Sequence, residues 1–184
     1  MSGDPRVAVV ILNWRRPDLT CQCLDSLAAL RYPEHEVIVV DNGSGDGSPD
    51  IVRRHHPWAT VVETAANLGY AAGNNIGLRL ALERGAEHVL LLNNDTEVAP
   101  DLLDVLVAAA VADPTVGVAG PKILYFDRPH VIYSAGGIID WRRGSSSMRG
   151  LGSIDGGQFD APTDVDFVTG CALLVRRAAI EQAG

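Results

Sequence analysis

The chain has 184 residues, 47% hydrophobic and 21% charged, a composition that fits one packed globular domain and excludes disordered and collagen-like classes. Its 15 Lys and Arg against 23 Asp and Glu give a formal net charge of −8, which leaves no electrostatic footprint for nucleic-acid binding. A phosphate-bearing ligand would therefore need local help from a metal ion, a helix N-terminus or backbone amides.

The first apolar run, Val7 to Leu12, is rich in β-branched residues and reads as a buried strand. It is far shorter than the roughly 20 residues of a bilayer span, and no basic segment precedes it. The three cysteines carry no zinc-type spacing and suit a reducing compartment, so the expected location is cytoplasmic, with peripheral membrane attachment left open.

From Pro17, the recurrence of Leu19, Cys23, Leu27 and Leu30 predicts an amphipathic helix. Glu36 to Val40 is a second strand, running into the turn-rich Asp41-Asn-Gly-Ser-Gly-Asp-Gly-Ser48, and Ser48-Pro49 opens a short helix to His56. Thr60 to Glu63 is a third strand. Asn67 to Gly77 leads into a helix over Leu78 to Arg84 that Gly85 stops, and His88 to Leu92 is a fourth buried strand. Pro100 to Ala112 reads as a helix and Val116 to Ala119 as a strand. The alternation predicts an α/β fold with a mostly parallel central sheet.

After Pro121 the texture changes, marking a subdomain seam within a single domain. Ile123 to Phe126 and Val131 to Ile139 read as strands of a small antiparallel piece, Trp141 to Gly157 as a mobile Gly/Ser-rich loop, and Asp166 to Val175 as a strand. Arg176 opens a helix that reaches the last residue, Gly184.

Ligands of open α/β sheets bind beyond the carboxyl ends of the strands, where this chain carries Asn13-Trp14, Asp41-Asn42 and Asn93-Asn94-Asp95. No G-x-G-x-x-G turn follows the first strand, no Walker loop is present, and glycines occupy two ligand positions of an EF-hand reading of Asp41 to Gly47. Asp95 can hold Mg²⁺ or Mn²⁺, which often use one or two protein carboxylates plus substrate phosphates; the plainer reading makes Asp95-Thr96 a turn. Asp41 can accept from a nucleobase imide and Trp14 can stack on a base, or they can be a turn aspartate and a core-capping aromatic. The small residues of 67–77 fit either a ligand or tight helix packing. His55 and His56 read as an exposed helix end, Cys21 and Cys23 as separate packing residues, and Arg142, Arg143 and Arg149 as a solvated loop or a lid over a diphosphate.

The ordered blocks VAVVILNW, EVIVVDNGSGDGS, NLGYAAGNNIG, VLLLNNDTEVAPDLL and DFVTGCALLVRR together resemble family 2 glycosyltransferases of the GT-A fold, nearest their rhamnosyltransferase-like branch. The resemblance implies a nucleotide-diphosphate-sugar donor, a divalent cation and inverting transfer to a hydroxyl acceptor such as a cell-surface glycan or lipid-linked saccharide. It makes residues 1–121 the nucleotide-sugar-binding half and 122–184 an incomplete acceptor-side subdomain.

By the same resemblance Leu12 and Asn13 border the nucleoside, Trp14 stacks on the base, and Asp41 with Asn42 lies at its imide. Asn93-Asn94-Asp95 stands at the family's DxD-type position, so Asp95 inherits the metal and Asn94 a donor contact. Asn74 is a further donor contact, and Thr169 and Gly170 border sugar and acceptor. The family's catalytic base follows the TG-x-ALLVRR block, past Gly184. No residue is assigned that role, and the 184-residue chain is expected to bind donor while transferring sugar feebly or not at all. A non-catalytic nucleotide-sugar-binding or partner-binding module is the alternative.

Overall fold

A computed structural model describes residues 3–183. Strand β1 (Val7–Asn13) leads through α1 (Pro17–Leu27) to β2 (His35–Asp41), and α2 (Ser48–His55) leads to β3 (Thr60–Glu63). Helix α3 (Tyr70–Glu83), β4 (His88–Asn93), α4 (Leu102–Ala112) and β5 (Val118–Ala119) follow. Next come β6 (Ile123–Tyr125), β7 (Arg128–Ser134), β8 (Gly137–Asp140), β9 (Ser145–Met148), β10 (Ala172–Arg176) and α5 (Arg177–Ala183). The expected last residue of that helix, Gly184, lies outside the described residues.

Six strands form the central sheet in the order β3-β2-β1-β4-β10-β5. The β1–β2, β2–β3 and β1–β4 pairs are parallel, whereas β10 runs antiparallel to both β4 and β5. β1 alternates its side chains between two cores. Val7, Val9 and Ile11 pack with α1, α2 and α4, while Ala8 and Val10 pack with α3. Burial on both faces is why these strands read as unbroken apolar runs.

Helix α3 begins eight residues before the predicted Leu78, at Tyr70. Gly73 and Gly77, one turn apart, disguise it in sequence because glycine is a poor helix former. Their role is close approach to the sheet: a Cβ on Gly77 would lie 2.4 Å from Val10 Cγ1, and one on Gly73 would lie 2.6 Å from Leu12 Cδ1. The packing alternative for 67–77 therefore accounts for both glycines. Helix α1, by contrast, is shorter than expected; it buries Thr20, Cys23, Leu24 and Leu27 and stops before Leu30.

Three expectations beyond Pro121 are corrected. Val131 to Ile139 is not one strand, because Gly136, at φ +86°, turns the chain between β7 and β8. The Gly/Ser-rich stretch is partly ordered: β9 pairs antiparallel with β8 from Asp140↔Ser145 to Gly137↔Met148. In Asp166 to Val175 only the end is strand, and that strand, β10, enters the central sheet between β4 and β5. The portions before and after the seam thus share one sheet.

Candidate functional site

The sheet order changes direction between β1 and β4, and the loops leaving β1, β2 and β4 open along one edge. Asn13 and Asp41 close β1 and β2 there and are 1% and 2% exposed. Asn13 Nδ2 donates to Asp41 Oδ1 at 2.7 Å, and Thr20 Oγ1 donates to Asn13 Oδ1 at 2.8 Å. Ser44 donates twice to the same carboxylate, from Oγ to Oδ1 at 2.6 Å and from its backbone N–H to Oδ2 at 3.0 Å. A carboxylate offers about four lone-pair positions, so the three bonds leave Asp41 one for any nucleoside donor.

Ser44 also ties the first loop to the second. Arg15, in the left-handed region at φ +55°, donates from its backbone N–H to Ser44 Oγ at 2.9 Å and from Nε to Ser44 O at 3.1 Å. That bend leaves Trp14 beside it 49% exposed, with the Arg15 guanidinium 5.4 Å from the ring centroid. An exposed aromatic on a fixed loop is a platform on which a planar ring can stack.

Asn42 and Asn74 are committed to the protein itself. Asn42 Nδ2 donates to Asn67 Oδ1 and Gly69 O, at 3.0 and 3.2 Å, and its Oδ1 accepts from the Leu68 N–H at 3.0 Å. It anchors the 67–69 loop. Buried Asn74 donates from Nδ2 to Tyr70 O, one helical turn back. Leu12, half-buried, packs under Gly73.

The three residues leaving β4 point to different neighbours. Asn93 accepts from Tyr70 Oη at 3.4 Å, whereas Asn94 Nδ2 donates to Thr20 Oγ1 at 3.1 Å. Asp95 is exposed on the turn. Its charge reaches inward: burial, aided by Asp95, raises the Cys171 thiol, and burial pushes Cys23 up to about 11. Glu97 accepts from Gln22 Nε2 of α1 at 2.9 Å.

Among the described residues no group of three or more His, Cys, Asp or Glu side chains is placed to hold an ion. An ion at Asp95 would take one protein carboxylate and complete its shell with phosphate oxygens and water. That donor set suits Mg²⁺ or Mn²⁺. The exposed carboxylate at the end of a rigid buried strand fits that group.

Beside Asn93 lies a cavity of about 420 Å³, walled by Tyr70, Tyr133, Met148, Phe167 and the 168–171 segment. Thr169 and Gly170 line it, and the Thr169 hydroxyl is shielded from solvent beside the Cys171 thiol. Tyr70 Oη donates to Gly170 O at 3.0 Å across the opening. Sequence reasoning missed Tyr70, Ser44 and Thr20. Ser44 had a signal, since a strand-ending Asp followed by Asn-Gly-Ser is a side-chain-capped turn; Tyr70 had none, because its partners lie far away in the chain.

One side feature departs from expectation, and the arginines of the Gly/Ser stretch divide. His56 is buried, not an exposed helix end: its ring meets Trp58 edge-on at 5.9 Å, and Nε2 lies 3.7 Å from Asp25 Oδ1. Arg149 stacks over Phe159 at 5.2 Å and donates to Ala135 O, while Arg142 and Arg143 are exposed at the β8–β9 turn.

The fold and the polar edge together define an α/β domain of the GT-A type. The profile described as "Glycosyl transferase family 2" matches residues 8–184, and the chain belongs to that family. Galactofuranosyltransferase GlfT1 of Mycobacterium tuberculosis is 29% identical over 146 residues, covering 78% of this chain and 48% of that protein. The N-acetylglucosaminyl-diphospho-decaprenol L-rhamnosyltransferase of the same species is 28% identical over 185 residues, covering 88% and 58%. This chain thus spans about half the length of these relatives.

Among solved structures, a mannosyltransferase from Pyrobaculum calidifontis, in complex with GDP-Man and Mn²⁺, superposes with a TM-score of 0.69 at 26% identity, over 100% of this chain and 48% of that one. TarS of S. aureus in complex with UDP-GlcNAc shares the fold at a TM-score of 0.54 and 20% identity, over 71% of this chain and 43% of that one. No helix among the described residues is long and apolar enough to cross a membrane.

Proposed function

We propose that this chain is the donor-binding part of an inverting glycosyltransferase that moves a sugar from a nucleotide-diphosphate-sugar to a hydroxyl acceptor, a cell-surface glycan or lipid-linked saccharide. The observation that carries the reading is the convergence of Trp14, Asp41 and exposed Asp95 on one edge, delivered by β1, β2 and β4. The mannosyltransferase neighbour, solved with a nucleotide sugar and Mn²⁺, supports it.

In this reading the backbone at Leu12 and Asn13 borders the nucleoside and Trp14 stacks on the base. Asp41 accepts from the base imide through its remaining lone pair, and its main task is to hold the β1 and β2 loops in register. Asn42 keeps the 67–69 loop in place, and Asn74 holds the first turns of α3. Asp95 ligates Mg²⁺ or Mn²⁺, with Asn94 beside it on the donor. When bound, the ion neutralises charge growing on the departing diphosphate. Thr169 and Gly170 border the sugar. The group that takes the acceptor proton is assigned to none of these residues.

Calorimetric titration of the chain with GDP-mannose, UDP-N-acetylglucosamine and a dTDP-sugar, with Mn²⁺ and with EDTA, tests the proposal. Binding of at least one donor that needs the ion, and that Asp95→Asn weakens at least tenfold with unchanged melting, is expected. Absence of binding to the whole panel, or binding indifferent to both EDTA and Asp95→Asn, would refute it.

A further inference from the structure

The 420 Å³ cavity is closed on one side by a short span of chain, residues 168–170, whose two ends are fixed independently. At one end β8 holds Phe167 through Gly137 N–H to Phe167 O at 2.9 Å, and Asp166 N–H returns a bond to Gly137 O at 2.9 Å. At the other end the Asn93 N–H donates to Cys171 O at 2.9 Å, just where β4 stops. Between these anchors Tyr70 Oη donates to Gly170 O, joining residues 100 apart in sequence.

Tyr70 is well placed for such a tie. It is the first residue of α3, entered from Gly69 at φ +81°, a conformation open mainly to glycine. The residue is 54% exposed at the opening, yet its hydroxyl reaches both Gly170 and Asn93. Directly beside that contact the Thr169 hydroxyl is shielded from solvent, next to the Cys171 thiol.

We propose that Tyr70 is a positioning residue: its hydroxyl latches the 168–170 span over the cavity, and so shapes the wall that faces the sugar of the donor. The second clause rests on the donor reading given above. The latch itself does not, because it is a contact within the protein. Phenylalanine in place of Tyr70 keeps the aromatic wall and deletes only the hydroxyl, so the role can be separated from packing.

Two measurements on Tyr70→Phe and the wild-type chain test the proposal. Amide hydrogen exchange, followed by mass spectrometry, should be several-fold faster in Tyr70→Phe for the peptide covering 168–171, with the β1 and β2 peptides unchanged. Calorimetry should find affinity for the nucleotide sugar that the wild type binds reduced about 3- to 10-fold, the worth of one neutral hydrogen bond. Affinity for the matching nucleoside diphosphate without sugar should be unchanged. Unaltered exchange at 168–171 would overturn the latch, and an equal change for both ligands, or none, would overturn the positioning role. Faster exchange in a chain that binds no nucleotide sugar would sink the donor reading and leave the latch standing.

Discussion

Asn13 and Asp41 stand opposite each other in the β1–β2 register, and the Asn13 amide donates to the Asp41 carboxylate at 2.7 Å. The pair joins the ends of two parallel strands through side chains just where the backbone ladder stops. Thr20 and Ser44 complete it, so the first and second loops behave as one unit.

Asn13→Ala removes the bond to Asp41 and the acceptor of Thr20 in a site that is 1% exposed. Asp41 keeps both bonds from Ser44 and Thr20 keeps Arg16 O as acceptor, so the cost is that of the lost buried hydrogen bonds, about 1–3 kcal/mol. Urea unfolding of the variant should be less stable by that amount, and a loss below a few tenths of a kcal/mol would show that the pair is not buried as described.

Gly77→Ala places a methyl 2.4 Å from Val10 Cγ1 and 3.0 Å from Val40 Cγ2, against two strands that cannot yield independently. Overpacking of this kind costs about 1–3 kcal/mol, more than the propensity gain of alanine in a helix. The expected outcome is a lower melting temperature, read by circular dichroism; a rise would mean that α3 does not pack this closely.

Much of the fold was legible because β1, β2 and β4 are buried on both faces and so appear as continuous apolar runs. β10 was not: its place between β4 and β5 comes from pairing with Leu92 to His88, some eighty residues back, which local pattern does not encode. The β8–β9 hairpin was hidden because Ser145, Ser146 and Ser147 show no apolar alternation. At the site, residue types at strand ends were readable, but their partners were not. Asn42 reads like a ligand contact and is used to anchor the 67–69 loop, whereas Tyr70 reads only as one residue of the stretch leading into the helix.

His88 begins β4 with its ring buried and both ring nitrogens without a partner among the described residues. Burial, with Arg176 nearby, lowers its pKa below 6.5, while Glu87 pulls the other way. The unfolded chain then binds a proton before the folded one does, so stability falls as pH drops below about 6.5 and is insensitive to this group above it. Urea midpoints from pH 8 to pH 5 should decline less steeply for His88→Leu than for the wild type. Parallel curves would assign the acid sensitivity elsewhere.

Trp14 is 49% exposed, so its ring contributes little to the core. If it stacks on the base as proposed, Trp14→Ala should weaken nucleoside diphosphate binding by about 1–3 kcal/mol while melting stays within a degree or two. Calorimetry beside thermal melting checks both halves, and unchanged nucleotide affinity would remove Trp14 from the site.

The most direct test of the central claim is a crystal structure of the chain with Mn²⁺ and the nucleoside diphosphate it binds most tightly. The ion is expected at the Asp95 carboxylate beside the diphosphate, with the base on Trp14 and Asp41 alongside it. An ion held elsewhere while Asp95 faces solvent, or a diphosphate seated away from the ends of β1, β2 and β4, would contradict it.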